Sequence, residues 1–217
     1  MEAGSTDADR VDLVRLVMKL RAQGLPARVL AAIETVPRAL FLSKLYQAEA
    51  YADRALPIEC GQTMTAPSVV ATAVAALEVA SDHKVLEVGC GSGYEAALLA
   101  TLAARVITLE RYRTLVDLAE SRFATLRIGN VSALHGDGVE GFPRHAPYDR
   151  IMVTAGVDEV PQPLLDQLAD GGLLVAPLGR MPHQRLVRME KVGKAFASAD
   201  LGPARFTPLV PGVAARL

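Results

Sequence analysis

One stretch limits this chain's folding options more than any other. Residues 85–94 read V-L-E-V-G-C-G-S-G-Y, an apolar run that stops at Gly89, Gly91 and Gly93. The run reads as a buried strand, and the residues after the glycines read as a helix. Glycine lets a backbone turn sharply and lets a ligand approach it closely. A strand, a glycine turn and a helix in that order describe the carboxyl end of a strand in an open α/β sheet, where such sheets bind ligands.

The chain on either side agrees with that reading. Strands are expected at Lys84–Val88, Val106–Leu109, Ser132–Leu134, Tyr148–Thr154 and Gly172–Pro177, and helices at Pro67–Val79, Gly93–Ala103, Thr114–Leu126 and Pro163–Leu168. Strands alternating with helices of this kind predict an α/β fold with a doubly wound, mostly parallel sheet. The end of the chain, Gln184–Met189 and Ala195–Val210, reads as strands and turns. The first 50 residues read as helices: Asp9–Gln23, Pro26–Ile33 and Pro37–Leu45. Gly24 stops the first, whose apolar face is expected to carry Val11, Val14, Val17 and Met18, with Leu13 near it. These helices are expected to cap one edge of the sheet. Residues 1–66 thus form a helical cap and a loop, and residues 67–217 the α/β domain, the two making one compact unit. The loop, Tyr51–Pro67, is long for a connector, which makes it a functional candidate.

The glycine pattern narrows the ligand. A dinucleotide fingerprint counted from Gly89 needs glycine at 94, where the chain has Tyr94, and a phosphate loop needs a Lys-Ser/Thr pair that is missing. No nearby cation would neutralise a pyrophosphate. Glu87 instead stands two residues before the first glycine, which suits a ligand with a cationic end, such as an amino-acid sulfonium. Glu110 ends the next strand, roughly 20 residues on, where a carboxylate accepts hydrogen bonds from ribose hydroxyls. In H-G-D-G, residues 135–138, Asp137 follows the strand after that and is placed to accept from an adenine amine.

Charge and composition exclude other classes. The 217 residues carry 23 basic against 24 acidic side chains, a net charge of −1, which argues against a nucleic-acid partner. An N/D-P-P-Y/F signature of nucleic-acid methylation is also missing. The polar opening M-E-A-G-S-T-D-A-D-R lacks the apolar core of a secretory leader, and no apolar run is long enough for a membrane span. A cytoplasmic protein with no membrane partner is expected. Cys60 and Cys90 form neither a disulfide framework nor a metal pair, and they read as reduced, space-filling thiols; no metal ligand set is assigned.

Glu87 with the glycine loop, Glu110 and Gly136-Asp137-Gly138 resemble the cofactor site of class I S-adenosylmethionine-dependent methyltransferases. Other stretches resemble protein-L-isoaspartate O-methyltransferases in order: R28-V-L-A-A-I-E-T-V-P-R, Y51-A-D-R-A-L-P-I, G61-Q-T-M-T-A-P, H145-A-P-Y-D, I151-M-V-T-A, the D-G-G-L-L-V-A-P-L-G run ending at Gly179, and R205-F-T-P-L-V-P. The likeness runs from about residue 10 to 211. It implies S-adenosyl-L-methionine as cofactor and S-adenosyl-L-homocysteine as its product. The cofactor would touch Glu87, Gly89, Cys90, Gly91, Ser92, Gly93, Glu110, Arg111, Gly136, Asp137, Gly138 and Thr154. Isoaspartyl-containing proteins or peptides would be the substrate, held by Thr63, Met64, Thr65, Ala66, Phe206 and Thr207.

One departure stands out. The family loop usually reads T-I-S-x-P, with a serine hydroxyl toward the substrate carboxylate; this chain reads Thr63-Met64-Thr65-Ala66-Pro67. Thr65, taken as the catalytic residue, keeps the hydroxyl, adds a methyl group and stiffens χ1. Its structural alternative is an N-cap for the helix beginning at Pro67. An isoaspartyl carboxylate, with a pKa near 4, is ionised at neutral pH without a base, so none is assigned, and His135 and His145 read as structural. Asp53 reads as a loop-holding residue before a catalytic one. The alternatives to isoaspartyl repair are methylation of another carboxylate, such as aspartate in a peptide natural product, or a cofactor-binding homologue without turnover. A nucleotide oxidoreductase is disfavoured by Tyr94.

Overall fold

The computed structural model describes residues 7–214. The polar residues 1–6, part of the segment read as lacking a secretory leader, lie outside them. The described helices are α1 (Asp7–Ala22), α2 (Ala27–Thr35), α3 (Pro67–Ala76), α4 (Tyr94–Ala100), α5 (Arg113–Thr125) and α6 (Gln162–Gln167). The strands are β1 (Leu56–Pro57), β2 (Thr63–Met64), β3 (Lys84–Val88), β4 (Arg105–Glu110), β5 (Val131–His135), β6 (Tyr148–Val153), β7 (Leu168–Leu178), β8 (Arg185–Val192) and β9 (Ala195–Pro203).

Seven strands form one sheet in the order β5-β4-β3-β6-β7-β8-β9. Strands β3 to β7 pair in parallel, and β7-β8-β9 closes the sheet as an antiparallel meander. The central strands are V/I/L-rich because helices cover both faces. The chain winds outward from β3 to β4 and β5, then returns to β6 on β3's other side. The carboxyl ends of β3 and β6 are therefore the switch point where a crevice opens. No described helix is long and apolar enough to cross a membrane.

Two corrections concern the N-terminal part. Helix α1 forms, and Gly24 with φ +82° follows it, but its buried face is Leu16, Val17 and Leu20; Val11, Val14 and Met18 are exposed. The segment has apolar residues on nearly every side, so periodicity alone did not select the face. The cap also packs over helices rather than along an edge strand. Helix α2 lies against α3, the short 3₁₀ turn Arg38–Phe41 lies against α5, and Leu16, Leu20 and Ile33 share one core with Leu98, Val106 and Leu115. The third expected helix, Pro37–Leu45, is reduced to that turn. The Tyr51–Pro67 loop contains the β1-β2 ribbon and a 3₁₀ turn at Glu59–Gly61.

Candidate active site

Strand β3 delivers the glycine loop into the crevice. The N–H groups of Gly89 and Cys90 both donate to the Leu109 carbonyl, at 2.9 and 3.0 Å, tying the loop to β4. Gly89 has φ +98°, and a Cβ added there would stand 2.4 Å from the Thr154 hydroxyl. That hydroxyl lies 2.5 Å from the Gly89 carbonyl and 2.9 Å from that of Val88, so Thr154 at the end of β6 locks the loop. Gly93, with φ +90°, lets α4 approach α5, since a Cβ would meet Ala119 and Phe123 at 3.0 Å. The Ser92 carbonyl accepts a 2.9 Å bond from Arg122.

Glu110 ends β4 beside this loop. Its Oε2 accepts from the Gly91 N–H at 2.9 Å and its Oε1 from the Tyr112 N–H at 3.0 Å. A carboxylate has about four acceptor sites, so each oxygen keeps capacity toward the cavity it lines.

That cavity opens between the glycine loop, the ends of β4 and β6, the residues of β2 and the tail at Thr207–Val210. Of the expected residues it brings together Thr63, Met64, Thr65, Gly89, Cys90, Gly91, Ser92, Glu110, Arg111, Gly138, Thr154 and Thr207. Others stand back from the wall. Glu87 is fully buried beneath the loop and accepts a hydrogen bond from the Thr108 hydroxyl; burial, with Glu95 adding to it, pushes its carboxyl well above the usual range. It lies on the floor beneath the loop rather than on the cavity wall. Gly93 serves helix packing, Ala66 caps α3, and Phe206 is buried with its N–H donated to Gln184. Gly136 precedes Asp137, whose two oxygens accept from the Val139 and Gly212 N–H groups at 2.9 and 2.7 Å. Neither lines the cavity.

A ligand with an amino-acid end and a nucleoside end fits these residues. Gly89 and Gly138 let the backbone close on Thr154 and Val88 at the cavity wall, where a Cβ would stand 2.4 and 2.5 Å from those side chains. Glu110 carries acceptor oxygens at the neighbouring strand end, and apolar Leu109, Leu209 and Val210 line the same space.

Comparison with known proteins decides which family built this site. The family model described as protein-L-isoaspartate(D-aspartate) O-methyltransferase matches residues 12–214. The chain belongs to this family. Among its relatives, the protein-L-isoaspartate O-methyltransferase of Parvibaculum lavamentivorans is 49% identical over 98% of both chains. That of Azorhizobium caulinodans is also 49% identical, over 98% of this chain and 99% of its own. A solved protein-L-isoaspartate O-methyltransferase superposes with TM-score 0.83 at 29% identity, covering 90% of this chain and 65% of its own. A Plasmodium falciparum protein of that name, in complex with S-adenosyl-L-homocysteine, shares the fold with TM-score 0.78 at 24% identity, over 90% and 97%.

In this methyltransferase family member, Thr65 lies at the cavity wall just after β2. It is not the cap of α3: the cap position is Ala66, without a side-chain bond. Asp53 takes that task from a distance, accepting the Ser68 N–H at 3.0 Å while pairing with Lys19 at 2.5 Å. Neither His135 nor His145 lines the cavity; His135 Nε2 is 3.0 Å from the Arg111 carbonyl. The thiols of Cys60 and Cys90 are both pushed up by burial, so they stay protonated.

Sequence reasoning missed Tyr94 as a wall residue, Glu95, and the buried Arg38 behind them. The signal for Glu95 was a lone charge in the apolar run Tyr94–Ala100. For Arg38 there was none, because an arginine after proline reads as a surface residue.

Proposed function

We propose that the protein transfers the methyl group of S-adenosyl-L-methionine to the free carboxylate of L-isoaspartyl residues in damaged proteins, a repair methylation. One observation carries this reading. A single cavity at the switch point joins the glycine loop and Glu110 to Thr65 on one side and to the Thr207–Val210 tail on the other, so a donor and an acceptor can meet there.

When bound, S-adenosyl-L-methionine supplies an electrophilic methyl group on a sulfonium. The residues of the chain do the rest. Gly89, Gly91 and Ser92 hold the amino-acid end, and Glu110 accepts from the ribose. The Thr65 hydroxyl donates to the acceptor carboxylate and orients it. No proton needs to leave the acceptor, which agrees with a cavity wall without histidine. Met64, Leu109 and Leu209 exclude water. That matters because anion and cation neutralise each other during transfer, and water stabilises them more before the reaction than at its barrier. Alignment by Thr65 adds an effective-concentration gain. The methyl ester then closes to a succinimide without the enzyme.

Two free thiols and a nearly balanced charge support a cytoplasmic enzyme that acts on proteins rather than nucleic acids. The test is a methyl-transfer assay on one peptide in isoaspartyl and aspartyl versions. Transfer to the first alone is expected; transfer to the aspartyl form, or to neither, overturns the reading. In the same assay Thr65→Val is expected to lower transfer at unchanged S-adenosyl-L-homocysteine affinity.

A further inference from the structure

Glu95 has no part in the mechanism above, yet it is the only charged side chain of α4 and it faces the cavity. It is only 8% exposed, and its Oε2 has no hydrogen-bond partner among the described residues. An unpartnered buried carboxyl oxygen normally costs stability, so its place in a ligand cavity points to a ligand atom that completes it.

The surroundings say which atom. The Thr65 side chain stands beside Glu95, close enough to favour its ionised form, and the Thr65 carbonyl accepts a 2.6 Å bond from Arg38 Nη2. Arg38 is fully buried: its Nε donates to the Ala50 carbonyl at 2.8 Å, and its guanidinium lies 4.8 Å from the centre of the Tyr94 ring. Thr65, which stands where the family has serine, is thus held through its carbonyl by a buried arginine and stands beside a buried acid. An acceptor carboxylate that reaches the Thr65 hydroxyl arrives beside Glu95. Two carboxyl groups sharing one poorly hydrated site hold a proton between them.

We propose that Glu95 is an acceptor-binding residue that acts in its protonated form: the Thr65 hydroxyl turns to donate to the incoming isoaspartyl carboxylate, and the Glu95 O–H donates to the same carboxylate beside it. The inference rests on the isoaspartyl reading above. The proton comes from solvent, stays on Glu95 during methyl transfer, and no bond of Glu95 is made or broken. Burial pushes the Glu95 carboxyl up to about 7, against the downward pull of Arg38 and of Thr65. The other groups around it reinforce this. Glu87 on β3 lies close enough to interact with Glu95, and Tyr94 and Tyr51 face Arg38, with Tyr94 held neutral by burial. Near neutral pH the proton is therefore readily held, and above it acceptor binding must recruit one.

The test follows KM and kcat for an N-acetylated isoaspartyl peptide from about pH 6 to pH 9. In the native enzyme KM is expected to climb toward about tenfold per pH unit at the alkaline end, with kcat and S-adenosyl-L-homocysteine affinity nearly level. Glu95→Gln, whose amide always donates, is expected to flatten the KM profile while keeping transfer at pH 6. A level native profile, or the native slope surviving in E95Q, overturns the proposal. Should E95Q fail to fold, calorimetry on the native enzyme decides. Peptide binding in the presence of S-adenosyl-L-homocysteine, measured at pH 8 in two buffers of different ionisation heat, is expected to take up about one proton. No uptake overturns the proposal. A native enzyme that transfers nothing to the peptide even at pH 6 removes the isoaspartyl reading and Glu95's role together. Transfer with level KM and no proton uptake removes the role of Glu95 alone.

Discussion

At Glu110 one side chain does two tasks that compete for the same lone pairs. It accepts from Gly91 and Tyr112, which shapes the end of β4 and the glycine loop, and it faces the cavity with what remains. Glu110→Ala removes both, leaving two backbone donors without their acceptor. Hydrogen bonds to a charged group contribute about 1.5–3 kcal/mol each. S-adenosyl-L-homocysteine binding is therefore expected to weaken by at least about tenfold, the equivalent of about 1.4 kcal/mol, in a calorimetric titration. Unchanged affinity would mean that Glu110 serves only the loop. Glu110 and the glycines were legible in the sequence because strand and turn chemistry fix their places. Glu95 left only one local trace, a lone charge in an apolar helix, and that alone does not tell which side chain the helix turns toward the cavity.

Helix α3 opens with Ala66-Pro67 and has no cap of its own, so its first free N–H groups depend on a residue from the loop. Asp53 provides the bond to Ser68 and joins it to α1 through Lys19. Asp53→Ala is expected to cost about 1 kcal/mol, the usual value of an N-cap, seen as a lower Tm at neutral pH. Burial raises the Asp53 carboxyl, but the bonds from Lys19 and Ser68 outweigh it and hold the group below its ordinary value. A carboxyl lowered in the folded state stabilises fully above its unfolded value, near 3.9, and loses that contribution as pH falls through the folded one. The Asp53→Asn variant is therefore expected to lose less stability than the native chain on acidification below about pH 4. An equal loss in urea unfolding at both ends of that range would show that the bond contributes nothing. At this scale most of the fold was readable. Lys84–Val88 is a strand at the expected residues, and β4, β5 and α5 lie within a residue or so of expectation. The face of α1 was not, because a helix whose apolar residues are spread around most of its circumference takes its orientation from the elements it meets, here α2 and the core around Leu98.

The whole chain converges on the cavity through its last described residues. After β9 the chain returns to β6, where the Gly156 N–H donates to the Thr207 carbonyl and the Leu209 N–H to the Gly156 carbonyl, each at 2.8 Å. Leu209 and Val210 then form one wall. Beyond them the Gly212 N–H donates to Asp137, the Gly212 carbonyl accepts from Arg111 at 3.3 Å, and the Ala214 N–H donates to the Arg111 carbonyl. Asp137 is thus tied to the tail, while its place in the sequence suggests direct contact with a nucleoside base. These two roles separate in a double-variant cycle. If Asp137 acts by anchoring the tail, Asp137→Ala and removal of the chain from Gly212 onward weaken S-adenosyl-L-homocysteine binding by similar factors. The combined variant is then no weaker than either. If Asp137 grips the base itself, its loss adds to that of the tail, and the truncated protein remains sensitive to D137A. Asp137 lies off the cavity wall and is bonded to the tail at Gly212, which favours the first outcome: a tail that closes the far end of the cavity and a carboxylate that holds it there.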